Sequence, residues 1–141
     1  MEFDELYKSF WDKIYRLCMG YVNDPDQAKD LAQETFITVW SKLSTFRNEA
    51  NIGTWIYRIA TNTCLSQIKK NERIKKSEIL ESMEDYESPN LDEEIKLLYQ
   101  YISELPELDR IIISLELEEV KQSEISKIVG LSYPSYEVRI D

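Results

Sequence analysis

Residues 24–36 read Asp24-Pro25-Asp26-Gln27-Ala28-Lys29-Asp30-Leu31-Ala32-Gln33-Glu34-Thr35-Phe36. Asp24 suits an N-cap, because its carboxylate accepts from free N–H groups of a first helical turn. Pro25 suits the first helical position, where no N–H is needed, and Asp26 favours the positive end of the helix dipole. Ala28, Leu31, Ala32, Thr35, Phe36, Val39, Trp40 and Leu43 then recur at three- and four-residue steps. That spacing predicts an amphipathic helix to about Leu43 with these residues inward.

Toward the N-terminus, Phe3, Leu6, Tyr7, Phe10, Ile14, Leu17, Cys18 and Tyr21 keep the same period and predict a helix over Phe3 to Tyr21. Toward the C-terminus, residues 44–53 read as a loop. A third helix is expected from about Thr54 to Lys70, with Trp55, Ile56, Ile59, Ala60, Leu65 and Ile68 on its apolar positions. Residues 71–90 lose periodicity, are charged and end near Pro89, so they read as a linker. Helix resumes at Leu91 to about Glu104. Pro106 interrupts it, and Glu107 to Leu117 forms another, with Leu108, Ile111, Ile112 and Leu115 inward. A short helix from Gln122 to Val129 should stop at Gly130, and Ser132 should cap a further helix with Pro134 in its first turn. Two short helices joined in this way have the shape of a helix-turn-helix. The last helix reaches only Asp141, and the chain is expected to stop early there.

The composition agrees with a helical chain. Its 141 residues suit one ordinary domain or two small ones. Three glycines and four prolines fall well below the usual roughly 7% and 5%, leaving few turn formers. There is no histidine, which removes Ser-His-Asp and Cys-His nucleophile systems and His-ligated zinc. No Gly-rich phosphate loop exists, and no apolar run approaches the roughly 20 residues of a membrane span. Cys18 and Cys64 lie in apolar helical patterns and read as buried thiols of a cytosolic chain.

The net charge of −10 argues at first against nucleic acid. It is not evenly spread. Residues 47–76 carry Arg47, Arg58, Lys69, Lys70, Arg73, Lys75 and Lys76 against Glu49 and Glu72, a net +5, whereas residues 77–109 alone are net −10. Charge blocks of this kind indicate separate roles.

Three groups stand out. Asp30, Gln33 and Glu34, with Ile37 beside them, lie away from the apolar stripe of their helix; they are either a solvated face or a docking face for a protein partner. Arg47 to Lys76 mixes cations with Asn48, Asn51, Thr54, Asn62 and the aromatics Phe46, Trp55 and Tyr57. Single-stranded nucleic acid asks for that mixture, since cations meet phosphates and rings stack on bases. The alternative is a core in which Trp55 and Phe46 are buried and the lysines merely end a helix. In the helix-turn-helix, Ser135, Tyr136 and Arg139 could face a major groove while Lys121, Gln122 and Ser123 touch phosphates; any helical hairpin with a glycine turn gives a similar pattern.

Taken in order, these segments resemble the bacterial RNA polymerase sigma factors of the extracytoplasmic-function (ECF) group. Asp26 to Phe36 with Val39-Trp40 and Lys42-Leu43 looks like region 2.2, which in that family docks on the clamp coiled coil of the polymerase's largest subunit. The resemblance therefore implies that Asp30, Gln33, Glu34 and Ile37 bind core polymerase. Phe46-Arg-Asn-Glu-Ala50 and Thr54 to Leu65 look like regions 2.3 and 2.4, which melt the promoter and capture a flipped base of the minus-ten element. This implies minus-ten contacts for Arg47, Asn48, Glu49, Asn51, Thr54, Arg58, Asn62, Lys69 and Lys70. Leu105 to Arg110 and Glu124 to Ser132 look like region 4, which reads the minus-thirty-five element, here through Lys121, Gln122, Ser123, Ser135, Tyr136 and Arg139. Tyr133 to Glu137 departs from the family's usual recognition helix, so base preference does not carry over.

The resemblance implies an all-α chain of two small helical domains. Residues 1–73 form region 2, residues 74–90 an acidic linker, and residues 91–141 a region 4 helix-turn-helix cut short at its C-terminus. It implies an alternative sigma factor, not an enzyme, with no cofactor or metal. Its partners would be core RNA polymerase and promoter DNA, in the cytoplasm and without membrane insertion, and the family commonly adds an anti-sigma factor. Two rivals are a helix-turn-helix transcription regulator that does not bind core polymerase and a helical interaction module with no DNA role.

Overall fold

A computed structural model describes residues 2–47, 51–66 and 92–132, with side chains to residue 130. Six α-helices occur among them: α1 Phe3–Val22, α2 Pro25–Lys42, α3 Ile52–Leu65, α4 Glu93–Ser103, α5 Glu107–Leu117 and α6 Gln122–Ser132. A 3-10 turn, Leu43–Thr45, ends α2. The all-α expectation holds for the described residues. The linker and the recognition helix after Ser132 lie outside them.

Helix starts follow local chemistry. The Asp24 carboxylate accepts from the N–H groups of Asp26 and Gln27, and Pro25 opens α2. Asn23 closes α1 in the left-handed conformation, φ 49°, which asparagine tolerates, with its N–H donating to Met19. α3 begins earlier than periodicity suggested. Asn51 caps it by accepting from Gly53 N–H at 2.7 Å, so Ile52 is already helical. α6 also departs from expectation: it runs through Gly130 to Ser132 instead of stopping at Val129. Gly130 has no positive φ, so it continues the helix at the usual cost of about 1 kcal/mol relative to alanine. Ser132 is thus itself in α6, and the helix expected after it lies outside the described residues.

α1–α3 enclose an aromatic core. Tyr7 packs edge-on against Phe36 at 5.1 Å and Trp11 at 5.5 Å, and Trp11 lies 6.0 Å from Phe36. Ile14, Leu17, Ala28, Ala32, Val39, Ile56 and Ala60 complete it. The Cys18 and Cys64 sulfurs lie 3.8 Å apart as free, buried thiols. The hydrogen bond from Cys64, and then burial, push the Cys18 thiol well above its usual range, which keeps it protonated. Trp40, expected inward, is 53% exposed. It lies one step past the edge of the buried arc formed by Phe36 and Val39.

α4–α6 bury Tyr99, Ile102, Leu108, Ile111, Leu115, Ile125, Ile128 and Val129. These are continuous with the aromatic core, so the two sets of helices share one hydrophobic interior. α5 and α4 lie on α1, and α6 lies on α3. Close approach needs small residues. A Cβ built on Gly20 of α1 would run into Ser114 Oγ of α5 and meet Ser114 Cβ at 2.9 Å.

Candidate functional site

α2 presents two opposite arcs. One buries Ala28, Leu31, Ala32, Thr35, Phe36 and Val39. At 3.6 residues per turn, Asp30, Gln33, Glu34 and Ile37 fall together on the other side, where all four are half-buried. Trp40 adjoins them, one turn beyond Ile37. A large aromatic half open to water beside this group is a surface feature that periodicity assigned to the core. Its three-residue step from Ile37 was the available signal.

The second group is assembled around α3. Asn51 is exposed and spends its side chain on capping. Arg47 and Asn62 are exposed, and Arg58 is half-buried. The Arg58 Nε is buried with no hydrogen-bond partner, as is the Thr61 hydroxyl on the same side of α3. Phe46 and Trp55 stack on each other at 5.0 Å and are both half-buried. Tyr57, which the aromatic pattern offered for base stacking, is instead buried. Burial pushes its phenol up, so it stays neutral. Asn48, Glu49, Lys69 and Lys70 lie outside the described residues.

Thr54 is placed unexpectedly. It is buried, and its hydroxyl donates to a Glu124 carboxylate oxygen of α6 at 2.6 Å. Two further polar contacts cross the same seam. Arg16 of α1 donates through Nε and Nη2 to both carboxylate oxygens of Glu118 at 2.8 Å. This hydrogen bonding raises the Arg16 guanidinium further above its already high range. The Tyr21 hydroxyl donates to Glu107 at 2.5 Å, and Arg110 lies over the Tyr21 ring at 4.9 Å. Burial, then the Glu107 bond, raise the Tyr21 phenol. The seam residues Arg16, Tyr21, Glu107 and Glu118 were not visible in the sequence, since their partners stand 86 and 102 positions apart.

In the third group, Lys121, Gln122 and Ser123 are exposed together at the start of α6, next to the seam. Ser135, Tyr136 and Arg139 lie outside the described residues. Among the described residues no His, Cys, Asp and Glu cluster could hold a metal, and no helix is long and apolar enough to cross a membrane.

Residues 6–74 match the family model for Sigma-70 region 2. That span takes in α1 from Leu6, α2 with its outer arc, and α3, together with the candidate residues from Arg47 to Lys70. The RNA polymerase sigma-H factor of Pseudomonas aeruginosa is 32% identical, over 90% of this chain and 74% of its own. The ECF RNA polymerase sigma factor SigM of Bacillus subtilis is 27% identical over 96% of this chain and 86% of its own. The ECF RNA polymerase sigma-E factor of Haemophilus influenzae is 29% identical over 98% and 81%. These similarities run through the α4–α6 half as well as the α1–α3 half, and none of them favours a regulator that does without core polymerase. With a relative above 30% identity covered over most of both chains, this chain belongs to the ECF-type RNA polymerase sigma factors and is an alternative sigma factor.

Proposed function

We propose that the outer arc of α2 is where this sigma factor holds core RNA polymerase, and that the segment from Arg47 through α3 to Lys70 takes the melted minus-ten strand. The observation that carries the first part is the pairing of Asp30, Gln33, Glu34 and Ile37 with Trp40, 53% exposed on the adjoining turn. A half-open tryptophan ringed by polar groups is the composition of a protein-docking hot spot. The second part is supported by Arg47 and Asn62 at the surface and by Arg58, whose Nε is buried without a partner. Extruding a base costs a few kcal/mol of stacking, and a polar pocket with a cationic rim offsets that cost. Lys121, Gln122 and Ser123 at the start of α6, with Ser135, Tyr136 and Arg139, form the corresponding duplex-reading group for the minus-thirty-five element.

The chain then performs no covalent chemistry and requires no cofactor; it works in the cytoplasm with polymerase and promoter DNA. An anti-sigma protein, common in this family, would be its inhibitor. The acidic residues 77–109, most of the linker together with α4 and the start of α5, supply negative charge that can stand in for nucleic acid in the polymerase channel.

Core polymerase pull-down and run-off transcription from a promoter-fragment library test the reading together. Trp40→Ala should leave the fold intact and weaken core binding about tenfold, the weight of a modest hot spot. Changing Arg58, Lys69 and Lys70 together to alanine should leave core binding intact and abolish run-off product. A wild-type chain that neither co-purifies with core nor starts transcription would sink the proposal.

A further inference from the structure

Phe46 and Trp55 meet where two cation-bearing stretches of the candidate DNA surface come together. Their ring centroids lie 5.0 Å apart, with the planes tilted by 41°. Arg47, exposed, follows Phe46 directly. Trp55 stands on α3 in line with Arg58 and Asn62. At about 3.6 residues per turn, seven positions bring Asn62 to within about 20° of Trp55, and Arg58 falls beside the same line one turn along. The rings therefore tie the residue before Arg47 to the head of the row that carries Arg58 and Asn62.

The two rings are anchored unequally. Trp55 packs against the hydrophobic core, and its N–H donates to the Asn51 carbonyl at 3.1 Å. The turn that bears it is seated on α1. A Cβ on Gly53 would come within 3.0 Å of Asn51 Oδ1 and 3.4 Å of the Phe10 ring, so the bare glycine leaves room for both the cap and that ring. Phe46 leaves the 3-10 turn in extended conformation, φ −69° and ψ 126°, with its N–H donating to Leu43 at 3.2 Å. Its ring then lies on Trp55, which joins it to the core. Both rings stay half-buried, so neither serves chiefly to fill the interior. Backbone fixed beside an exposed arginine has already given up the entropy that binding a phosphate would otherwise take from it.

We propose that the Phe46–Trp55 stack is a positioning clamp: without touching DNA itself, it holds Arg47 in register with Arg58 and Asn62, so that the three meet one strand as a single surface. The inference rests on the minus-ten reading of those three residues. Phe46 and Trp55 are positioning residues, and they act through Arg47.

Two measurements on the full chain test the clamp. In the free chain, nitrogen-15 relaxation reads the order of the Arg47 amide. Its order parameter should be near about 0.85 in wild type and below about 0.6 in Phe46→Ala and Trp55→Ala. In the holoenzyme with core polymerase, fluorescence anisotropy reads binding of a fluorescein-labelled single strand, the non-template strand of the promoter that wild type selects from the fragment library. Both alanine variants should bind it about threefold to tenfold more weakly, the worth of one aromatic pair. The decisive readout is salt. Losing one phosphate contact on a single strand lowers the slope of log affinity against log salt by about 0.7. Arg47→Ala sets that drop, and the two ring variants should reproduce it although they remove no charge. Phe46→Tyr, which keeps the ring contact, should restore both affinity and slope to about those of wild type. The double alanine variant should be no weaker than the weaker single one, because either change already opens the clamp. Phe46→Leu, which keeps apolar bulk and loses the ring, decides the matter if the alanine variants fail to fold. Weaker binding with an unchanged salt slope would mean that the rings stack on DNA directly, and it overturns the proposal. So does an Arg47 amide that stays equally ordered in both ring variants. A wild-type holoenzyme that starts no transcription overturns the minus-ten reading itself, and the inference with it.

Discussion

The α1–α3 half and the α4–α6 half invest their apolar residues differently. The first closes on itself: Tyr7, Trp11 and Phe36 meet ring to ring, and Ile14, Leu17 and Ile56 fill the space between the helices. The second has a thinner interior of isoleucine, leucine and valine around Tyr99 and leaves Ile95, Leu97, Leu98, Tyr101, Leu105 and Leu117 exposed. Of the eleven residues of α4, only Tyr99 and Ile102 are buried. The first half therefore carries stability, while the second borrows part of its burial from the surface of α1 and α3.

The largest test of the asymmetry is in the cores. Phe36→Ala should cost about 3–5 kcal/mol and unfold the whole chain, because both halves lean on the aromatic cluster. Ile111→Ala should cost about 2–5 kcal/mol, but chiefly within α4–α6. All three tryptophans, Trp11, Trp40 and Trp55, lie in the first half. Urea unfolding followed by tryptophan fluorescence and by far-UV circular dichroism thus separates the two regions. Coincident curves for wild type and divergent curves for Ile111→Ala are expected. Coincidence in both would show that the halves do not melt separately.

Alkali should attack the boundary itself. Tyr21, Tyr57 and Tyr99 all have phenols raised chiefly by burial, and all three feel the charges of the seam. Tyr99 is pushed up to about 12. The folded value lies above the ordinary one of about 10, so these tyrosines contribute stability that is complete below about pH 10 and is lost as pH rises through the folded value. Absorbance at the tyrosinate band and scattering should report the halves separating between about pH 10 and 12. Ionisation of all the tyrosines near pH 10 with no change of shape would contradict the seam.

The Arg16–Glu118 pair offers a milder test. Its two 2.8 Å bonds form a bidentate fork, but the Arg16 side chain is 34% exposed against 7% for Glu118. Water screens part of the attraction. Arg16→Ala should then cost about 1–2 kcal/mol, mostly by leaving the buried Glu118 carboxylate without its partner. Arg16→Ala with Glu118→Ala together should cost less than the two single changes added, and strict additivity in a double-mutant cycle would mean the pair is not coupled.

Most of the fold was legible because it is local. The Phe3–Val22 and Pro25–Lys42 helices follow from apolar spacing and from Asp24 and Pro25, and Glu107–Leu117 was read to the residue from Pro106 and the Leu108–Ile111–Leu115 steps. The misreadings share a physical origin. Trp40 continued the apolar period but ran past the edge of its neighbours, which no one-dimensional pattern records. Asn51 and Gly130 were judged by residue type, whereas capping drew one into the start of a helix and a missing Cβ cost too little to stop the other. Of the candidate site, the α2 arc was legible as a helix face. The commitment of Thr54 to Glu124 was not, because the two are 70 positions apart and neither belongs to a periodic signal.

The smallest contrast compares one chemistry in the two regions. Asp24 caps α2, accepting from Asp26 N–H at 3.0 Å, and Asp92 caps α4, accepting from Ile95 N–H at 2.9 Å. Each replacement by alanine should cost about 1 kcal/mol, since each frees first-turn N–H groups from a charged acceptor. What differs is where the loss appears. α2 lies inside the self-contained half, so Asp24→Ala should lower the urea midpoint seen by tryptophan fluorescence and by circular dichroism alike. α4 is tied to the rest mainly through Tyr99 and Ile102, so Asp92→Ala should fray α4 first. That lowers the circular-dichroism midpoint while leaving the tryptophan signal nearly where it was. Equal shifts in both signals for Asp92→Ala would mean that α4 is as firmly built into the common core as α2.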